Sequence, residues 1–192
     1  MIEKTQIEKI INQCIAEDRS AQKLVYESYY DRYFALCKRY LNNDDLAKET
    51  LNKMFYQVFT NIKKLKNPNL FEGWMKKICI NTCLNAIRKN KKNKFTNIDD
   101  IPSNKLLEVE NEGLSNLAME EMLEMIMRLP SRMRSVFNLY VVDGFKHQEI
   151  SEELNISVGT SKFHLHQARI RLQKMIQLQV KIEQTQKLKV HG

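Results

Sequence analysis

Lys146 to Leu172 reads KHQEISEELNISVGTSKFHLHQARIRL, and its pattern is that of two short helices joined by a tight turn. Ile150, Leu154, Ile156 and Leu165 are apolar where the two helices would meet, and Ser151 is small enough for a close crossing. Asn155 stands where the turn favours Gly, or a residue that tolerates positive φ. Ser157 is a good N-cap for the helix that follows. Ser161 departs from the pattern, because Val or Ile is commoner there. The stretch predicts a nucleic-acid-binding helix pair. A plain αα-hairpin that binds nothing is the alternative, since similar spacing occurs in ordinary bundles.

Helical geometry ranks the second helix of the pair. With Ser161, Leu165, Ala168 and Leu172 facing inward, Gly159, Phe163, His166, Gln167 and Ile170 lie opposite, flanked by Thr160, Lys162 and Arg169. Lys162 and Arg169 suit phosphates, while Phe163, His166 and Gln167 suit base edges or thymine methyls.

Working outward, the 192-residue chain has a net charge of +8, a balance that suits a phosphate-binding protein. Five glycines and three prolines leave few breaks, so the chain is expected to be almost entirely helical. The charge is unevenly placed. Residues 60–97 hold ten Lys/Arg and one acid, Glu72, whereas 98–127 hold eight acids and one Lys, Lys105. From Arg128 onward the count is eleven basic against five acidic. This predicts two binding lobes and an acidic connector.

The cysteines at 14, 37, 79 and 83 form no CxxC pair and read as reduced, mostly buried thiols of a cytosolic protein. No four-ligand spacing supports a metal site that would recruit His164 and His166, so no metal or cofactor is expected. No signal peptide and no run of 18 apolar residues appears, which argues against secretion and membrane insertion.

In chain order, Ile2, Ile7, Ile10, Ile11, Cys14 and Ile15 predict an amphipathic helix within 1–19. A second helix is expected over Ser20 to Leu41, with Ser20 as its cap and Leu24, Val25, Tyr29, Phe34 and Leu41 inward. After the turn at 42–45, a long helix is expected from Leu46 to about Leu65. Its apolar stripe is Ala47, Leu51, Met54, Phe55, Val58 and Ile62, and Pro68 ends it. A further helix is expected over Phe71 to Asn90, with Trp74, Ile78 and Ile87 in its buried face. Lys76, Lys77, Asn81, Asn85, Arg88 and Lys89 would then form a polar face. Together with Lys63, Lys64 and Lys66, it suits single-stranded or melted DNA: cations follow the backbone, and Asn bonds to unpaired base edges.

The stretch from Lys91 to Met127 is long for a loop inside one domain and reads as a linker. Helical pattern returns near Asn116 with Leu117, Met119, Met122, Leu123, Ile126 and Leu129. Pro130 suits the first turn of a helix running to Val142, closed by Asp143-Gly144. The residues beyond about Gln179 are polar and expected to fray.

Three stretches together resemble the sigma-70 family of bacterial RNA polymerase sigma factors, in the extracytoplasmic-function (ECF) group. They are LAKETLNKMF (Leu46 to Phe55), FEGWMKKICINTCLNAIRKNKK (Phe71 to Lys92) and LPSRMRSVFNLYVVDGFKHQEISEELNISVGTSKFHLHQARIRL (Leu129 to Leu172). The resemblance covers roughly residues 18 to 178. It implies an all-α protein of two small helical domains joined by an acidic linker. The expected boundaries are a region 2-like domain over 1–93, the linker over 94–115, a region 4-like helix-turn-helix domain over 116–178 and a polar tail over 179–192.

The same resemblance implies a cytoplasmic protein without catalytic activity that binds core RNA polymerase and directs it to promoter DNA. The polymerase contacts would be the β′ clamp helices and the β flap, and an anti-sigma factor is a further partner. Asn81 would contact an unpaired −10 base, with Asn85, Arg88, Lys77, Lys63 and Lys64 beside it, and the loop Lys64 to Leu70 would help hold a flipped base. Ala47, Asn52, Lys53, Phe55 and Gln57 would meet polymerase. Ser157, Thr160, Lys162, Phe163, His166, Gln167 and Arg169 would read the −35 element. The linker would run through the polymerase cleft. Lys48, Asn52 and Lys53 stand where the family usually has Glu, Gln and Glu, and Phe163 and His164 where Ser and a basic residue are commoner. A free-standing helix-turn-helix regulator is the competing function, but it leaves the basic Phe71 to Lys92 helix unexplained. An enzyme is a third, without a phosphate-cradling loop or paired nucleophile to support it.

Overall fold

A computed structural model describes residues 4–93 and 119–190, which fall into two compact helical units with no strand among the described residues. The acidic linker expected over 94–115 lies outside the described residues, as does Leu117.

The first unit contains α1 (Lys4–Ile15), α2 (Arg19–Leu41), α3 (Asp44–Asn61) and α4 (Phe71–Asn93), with 3-10 turns at Ile62–Lys64 and Pro68–Leu70 between α3 and α4. Helix α2 packs against α1, α3 and α4. Its cap is Asp18 rather than Ser20, because the Asp18 carboxylate accepts from the Ser20 amide at 2.7 Å and the Ala21 amide at 3.3 Å. Val25, Tyr29 and Leu41 are buried as expected, whereas Leu24 is exposed and Phe34 half-buried. Tyr33, Leu36, Cys37 and Tyr40 take the inward places instead. Large aromatics can fill this core because their hydroxyls find partners. The Tyr29 hydroxyl donates to the Glu72 carboxylate at 3.1 Å, and the Tyr33 hydroxyl to the Glu72 carbonyl at 3.0 Å.

Asn43 caps α3 by accepting from the Leu46 amide at 2.8 Å, with Asp44 and Asp45 in the first turn favoured by the helix dipole. The whole stripe of Ala47, Leu51, Met54, Phe55, Val58 and Ile62 is buried. The α-helix stops at Asn61, short of Leu65, and Pro68 starts a new 3-10 turn instead of ending the old helix. Asn67 caps that turn, accepting from the Asn69 amide at 3.0 Å.

In the second unit are α5 (Met119–Met127), α6 (Ser131–Phe137), α7 (His147–Leu154) and α8 (Val158–Val190). Helices α5, α6 and α7 all pack on α8. Pro130 stands just before the first residue of α6, which widens into a π-helical turn at Asn138–Val142. The Asp143 amide donates to the Asn138 carbonyl at 2.9 Å, and Gly144 at φ +78° then turns the chain. The side chain of Arg134, 7% exposed, donates to the carbonyls of Met127 at 2.6 Å and Leu129 at 3.2 Å, closing the end of α5. Fraying beyond Gln179 is not what the structure shows, since α8 continues to Val190. Its Lys and Gln residues are good helix formers, which offsets their polarity.

Candidate nucleic-acid and polymerase interfaces

The buried face of α4 is Phe71, Met75, Cys79, Ile80, Thr82, Cys83 and Leu84. Trp74, Ile78 and Ile87, expected there, are only half-buried. The correction is a rotation of the helix about its axis. Trp74, Ile78, Asn81, Asn85 and Arg88 follow i, i+4, i+7, i+11 and i+14, so they share one outward stripe. Trp74 stacks on Phe71 with ring centroids 6.3 Å apart, leaving it half open beside the polar groups. Asn81 is half-buried, while Asn85, Arg88 and Lys77 are exposed. Arg88 donates to the Asn85 carbonyl oxygen at 2.9 Å, which orients that amide. The stripe therefore joins an indole, two amides and a guanidinium.

Lys63 and Lys64 project from the 3-10 turn after α3, both exposed, with Lys64 donating to Asn61 Oδ1 at 2.7 Å. Leu70, 61% exposed in the loop before α4, is an apolar side chain offered to whatever approaches.

The candidate polymerase set divides by burial. Asn52, Lys53 and Gln57 are exposed on α3. Ala47 and Phe55 are buried at 0% and 2%, so they fasten α3 to its own core and are withdrawn as surface contacts. Asn52 accepts from the Tyr26 hydroxyl at 3.3 Å, and Lys53 pairs with Glu49 one turn earlier. Gln57 Oε1 lies 3.1 Å from the Thr82 hydroxyl, tying α3 to α4. Tyr56, 71% exposed, lies between these residues on the same helix. Its position off the apolar stripe accounts for that exposure.

In the second unit, α7 and α8 form the helix-turn-helix. Glu149 accepts from the Lys146 amide at 2.7 Å at the start of α7. Asn155 adopts φ +50° at its end, and the Ile156 amide donates back to the Ser151 carbonyl at 3.1 Å. Ser157 caps α8, accepting from the Thr160 amide at 2.9 Å, while its hydroxyl lies 2.8 Å from Thr160 Oγ1. Ser161, Leu165, Ala168 and Leu172 are buried. Lys162 and Arg169 are exposed, and Thr160, Phe163, His166 and Gln167 half-buried around them. His164 is buried and therefore not available in the way its neighbour Phe163 is. Burial, then the nearby cations of Lys162 and Arg169, hold His147 below the usual imidazole range, which favours its neutral ring.

The comparisons divide the chain as its two units do. Residues 25–93 match the family Sigma-70 region 2, and residues 119–172 match Sigma-70, region 4. The chain is 27% identical over 187 residues to the ECF RNA polymerase sigma factor SigW of Bacillus subtilis, covering 88% of this chain and 96% of that protein. It is 23% identical over 185 residues to the ECF RNA polymerase sigma-E factor of Haemophilus influenzae, covering 88% and 97%. Among solved structures, the sigma factor RpoE in complex with the anti-sigma factor NepR from Bartonella quintana aligns with a TM-score of 0.50 at 15% identity. That alignment covers 81% of this chain and 96% of the other, and it supports the fold. With both regions present in order and relatives matched over nearly their whole length, the chain belongs to the ECF group of the sigma-70 family, the sigma factors that direct promoter-specific transcription.

Proposed function

We propose that the two units divide promoter recognition between them. The first, over 1–93, docks on core RNA polymerase through the exposed face of α3 and holds the melted −10 strand along α4. In the second, over 116–178, α8 reads the −35 duplex. The linker over 94–115 connects them, and the polar tail over 179–192 follows the second unit. The observation that carries this reading is the outward stripe of α4. An indole for base stacking, amides for base edges and nearby lysines for phosphates are the groups that an unpaired strand requires. Asn81 takes an unpaired base, Asn85 and Arg88 lie beside it, and Lys63, Lys64 and Lys77 hold the backbone. Asn52, Lys53 and Gln57 meet the β′ clamp helices, and the second unit meets the β flap. On α8, Lys162 and Arg169 hold phosphates while Phe163, His166 and Gln167 face the bases. Ser157 and Thr160 stand at the helix start.

The protein works in the cytoplasm and has no catalytic activity of its own; the chemistry belongs to polymerase. Among the described residues, no helix is long and apolar enough to cross a membrane. An anti-sigma factor is a further partner, supported by the structural relative solved with one. In vitro transcription with core polymerase from the same organism, on a pool of its promoter fragments, tests the reading. Specific starts that depend on this chain are expected. Failure of the chain to co-purify with polymerase would favour a free-standing regulator.

A further inference from the structure

The core of the first unit holds a side-chain cluster that neither interface uses. Cys37 of α2 and Cys79 and Cys83 of α4 are each 0% exposed. Their three sulfurs lie within 4.8 Å of one another. Cys37 Sγ is 3.6 Å from Cys79 Sγ and 3.7 Å from Cys83 Sγ. Cys79 and Cys83 are one helical turn apart and so share a face of α4, and Cys37 meets them from across the α2–α4 contact. No sequence motif links residue 37 to 79 and 83; only the packing of α2 on α4 brings them together. Small buried thiols also serve as plain apolar filler, and that is the reading the experiment must separate.

The spacing suits an ion. A metal about 2.3 Å from three sulfurs in one plane sets them roughly 4.0 Å apart, a few tenths of an ångström from the two measured edges. The donor set narrows its identity. Three cysteine sulfurs, joined by no His, Asp or Glu among the described residues, select a soft ion. A structural zinc site takes four ligands, and among the described residues no fourth His, Cys, Asp or Glu joins this group. Iron–sulfur clusters likewise require about four ligands, and Cys14 is not among these three. The thiols are fully buried, so bulk water does not reach them to complete a tetrahedron. A soft ion satisfied by three thiolates remains. Arg39 acts electrostatically on Cys79, which partly offsets the negative charge such a trio carries.

We infer that Cys37, Cys79 and Cys83 form a three-coordinate sulfur site for a soft monovalent metal ion, Cu(I). The ion displaces thiol protons to solvent, each metal–sulfur bond replacing a sulfur–hydrogen bond, and no electron is transferred. Because α4 also carries Asn81 and Asn85, an ion bridging it to α2 fastens the helix that bears the proposed −10 stripe. By mass action it also stabilises the folded first unit.

The test is an anaerobic titration of the reduced full-length chain with Cu(I) against the chelator bathocuproine disulfonate. One equivalent is expected to bind, with a copper K-edge absorption spectrum fitted by three sulfur neighbours. Cys37→Ser is expected to weaken binding on the order of 100-fold. Cys14→Ser, whose thiol lies outside the cluster, is expected to bind as the unaltered chain does. No retention of copper against the chelator, or equal affinity in Cys37→Ser, overturns the site. Should Cys37→Ser fail to fold by circular dichroism, the wild-type absorption spectrum decides alone, and fewer than three sulfurs overturns the assignment. These readouts require neither polymerase nor DNA, so they stand apart from the promoter reading.

Discussion

His147 Nδ1 lies 2.9 Å from Ser161 Oγ, joining the first residue of α7 to a fully buried position on α8. The contact explains the one residue at which the helix-turn-helix pattern looked irregular. A Val or Ile at 161 would fill the crossing, but it would offer His147 nothing. A buried hydroxyl needs a partner, and the imidazole supplies it. A face of the same ring stacks on Tyr140, with centroids 4.4 Å apart, so the π-helical turn, α7 and α8 converge on one side chain.

That position makes the second unit sensitive to acid. Burial first, then Lys162 and Arg169, hold the His147 pKa below the ordinary imidazole value. A depressed folded-state pKa means that folding favours the neutral ring. The contribution is fully present above the unfolded pKa and is lost as pH falls through the lower folded value. Amide protection factors in α7 and α8, corrected for the slower intrinsic exchange at lower pH, are therefore expected to fall between pH 7.5 and 5.5, and to fall less in His147→Gln. The same pH dependence in both proteins would clear His147 of the effect.

Most helices were legible because their apolar periodicity is set by the core they bury. The stripe from Ala47 to Ile62 needed no tertiary knowledge, and Asn155 and Ser157 declared the turn through backbone chemistry alone. What periodicity could not settle was helix rotation where apolar residues occur all round. In α4, Trp74 and Ile78 looked inward by type, yet the smaller Cys79 and Cys83 occupy the close contact with Cys37 on α2. Similarly, Ala47 and Phe55 were placed on the polymerase face by resemblance, although their own stripe already assigned them to the core. The Asp18 cap was hidden because Asp and Ser are both good caps two residues apart. The carboxyl end of α8 was read as frayed because a polar composition does not distinguish a solvated helix from coil.

Arg134 is expected to be the costliest polar residue to remove from the second unit. It is buried, and it donates to two carbonyls at the end of α5, at Met127 and Leu129. Burial holds its pKa below the ordinary guanidinium range. Arg134→Met keeps much of the stem but leaves those carbonyls without their donor, at a cost of about 1–3 kcal/mol. Urea unfolding of the full chain followed by circular dichroism should show an earlier transition. A midpoint equal to that of the unaltered chain would refute the capping role.

Asn81→Ala is expected to separate melting from docking. Asn81 is half-buried in the α4 stripe, whereas the candidate polymerase residues Asn52, Lys53 and Gln57 lie on α3. Open-complex formation, followed by permanganate reactivity of unpaired thymines, should fall about tenfold for a lost base contact of roughly 1–2 kcal/mol. Co-purification with core polymerase should be unchanged. Loss of polymerase binding would sink the assignment of Asn81 to DNA.

Lys162 and Phe163 test the reading face of α8, and their chemistry gives two separable signatures. Lys162 is exposed and holds a place suited to a phosphate, so Lys162→Ala should weaken promoter binding on every −35 sequence alike. The salt dependence should flatten by about one phosphate's worth of counterion release. Phe163 is half-buried and offers an apolar surface to thymine methyls, so Phe163→Ala should cost binding chiefly where the −35 element carries thymine. Both are measured in holoenzyme, on promoters that differ only in the −35 element. If Phe163→Ala weakened all of them equally, the side chain would be acting through the stability of α8. If neither variant changed promoter binding, α8 would not be reading the −35 duplex from this face.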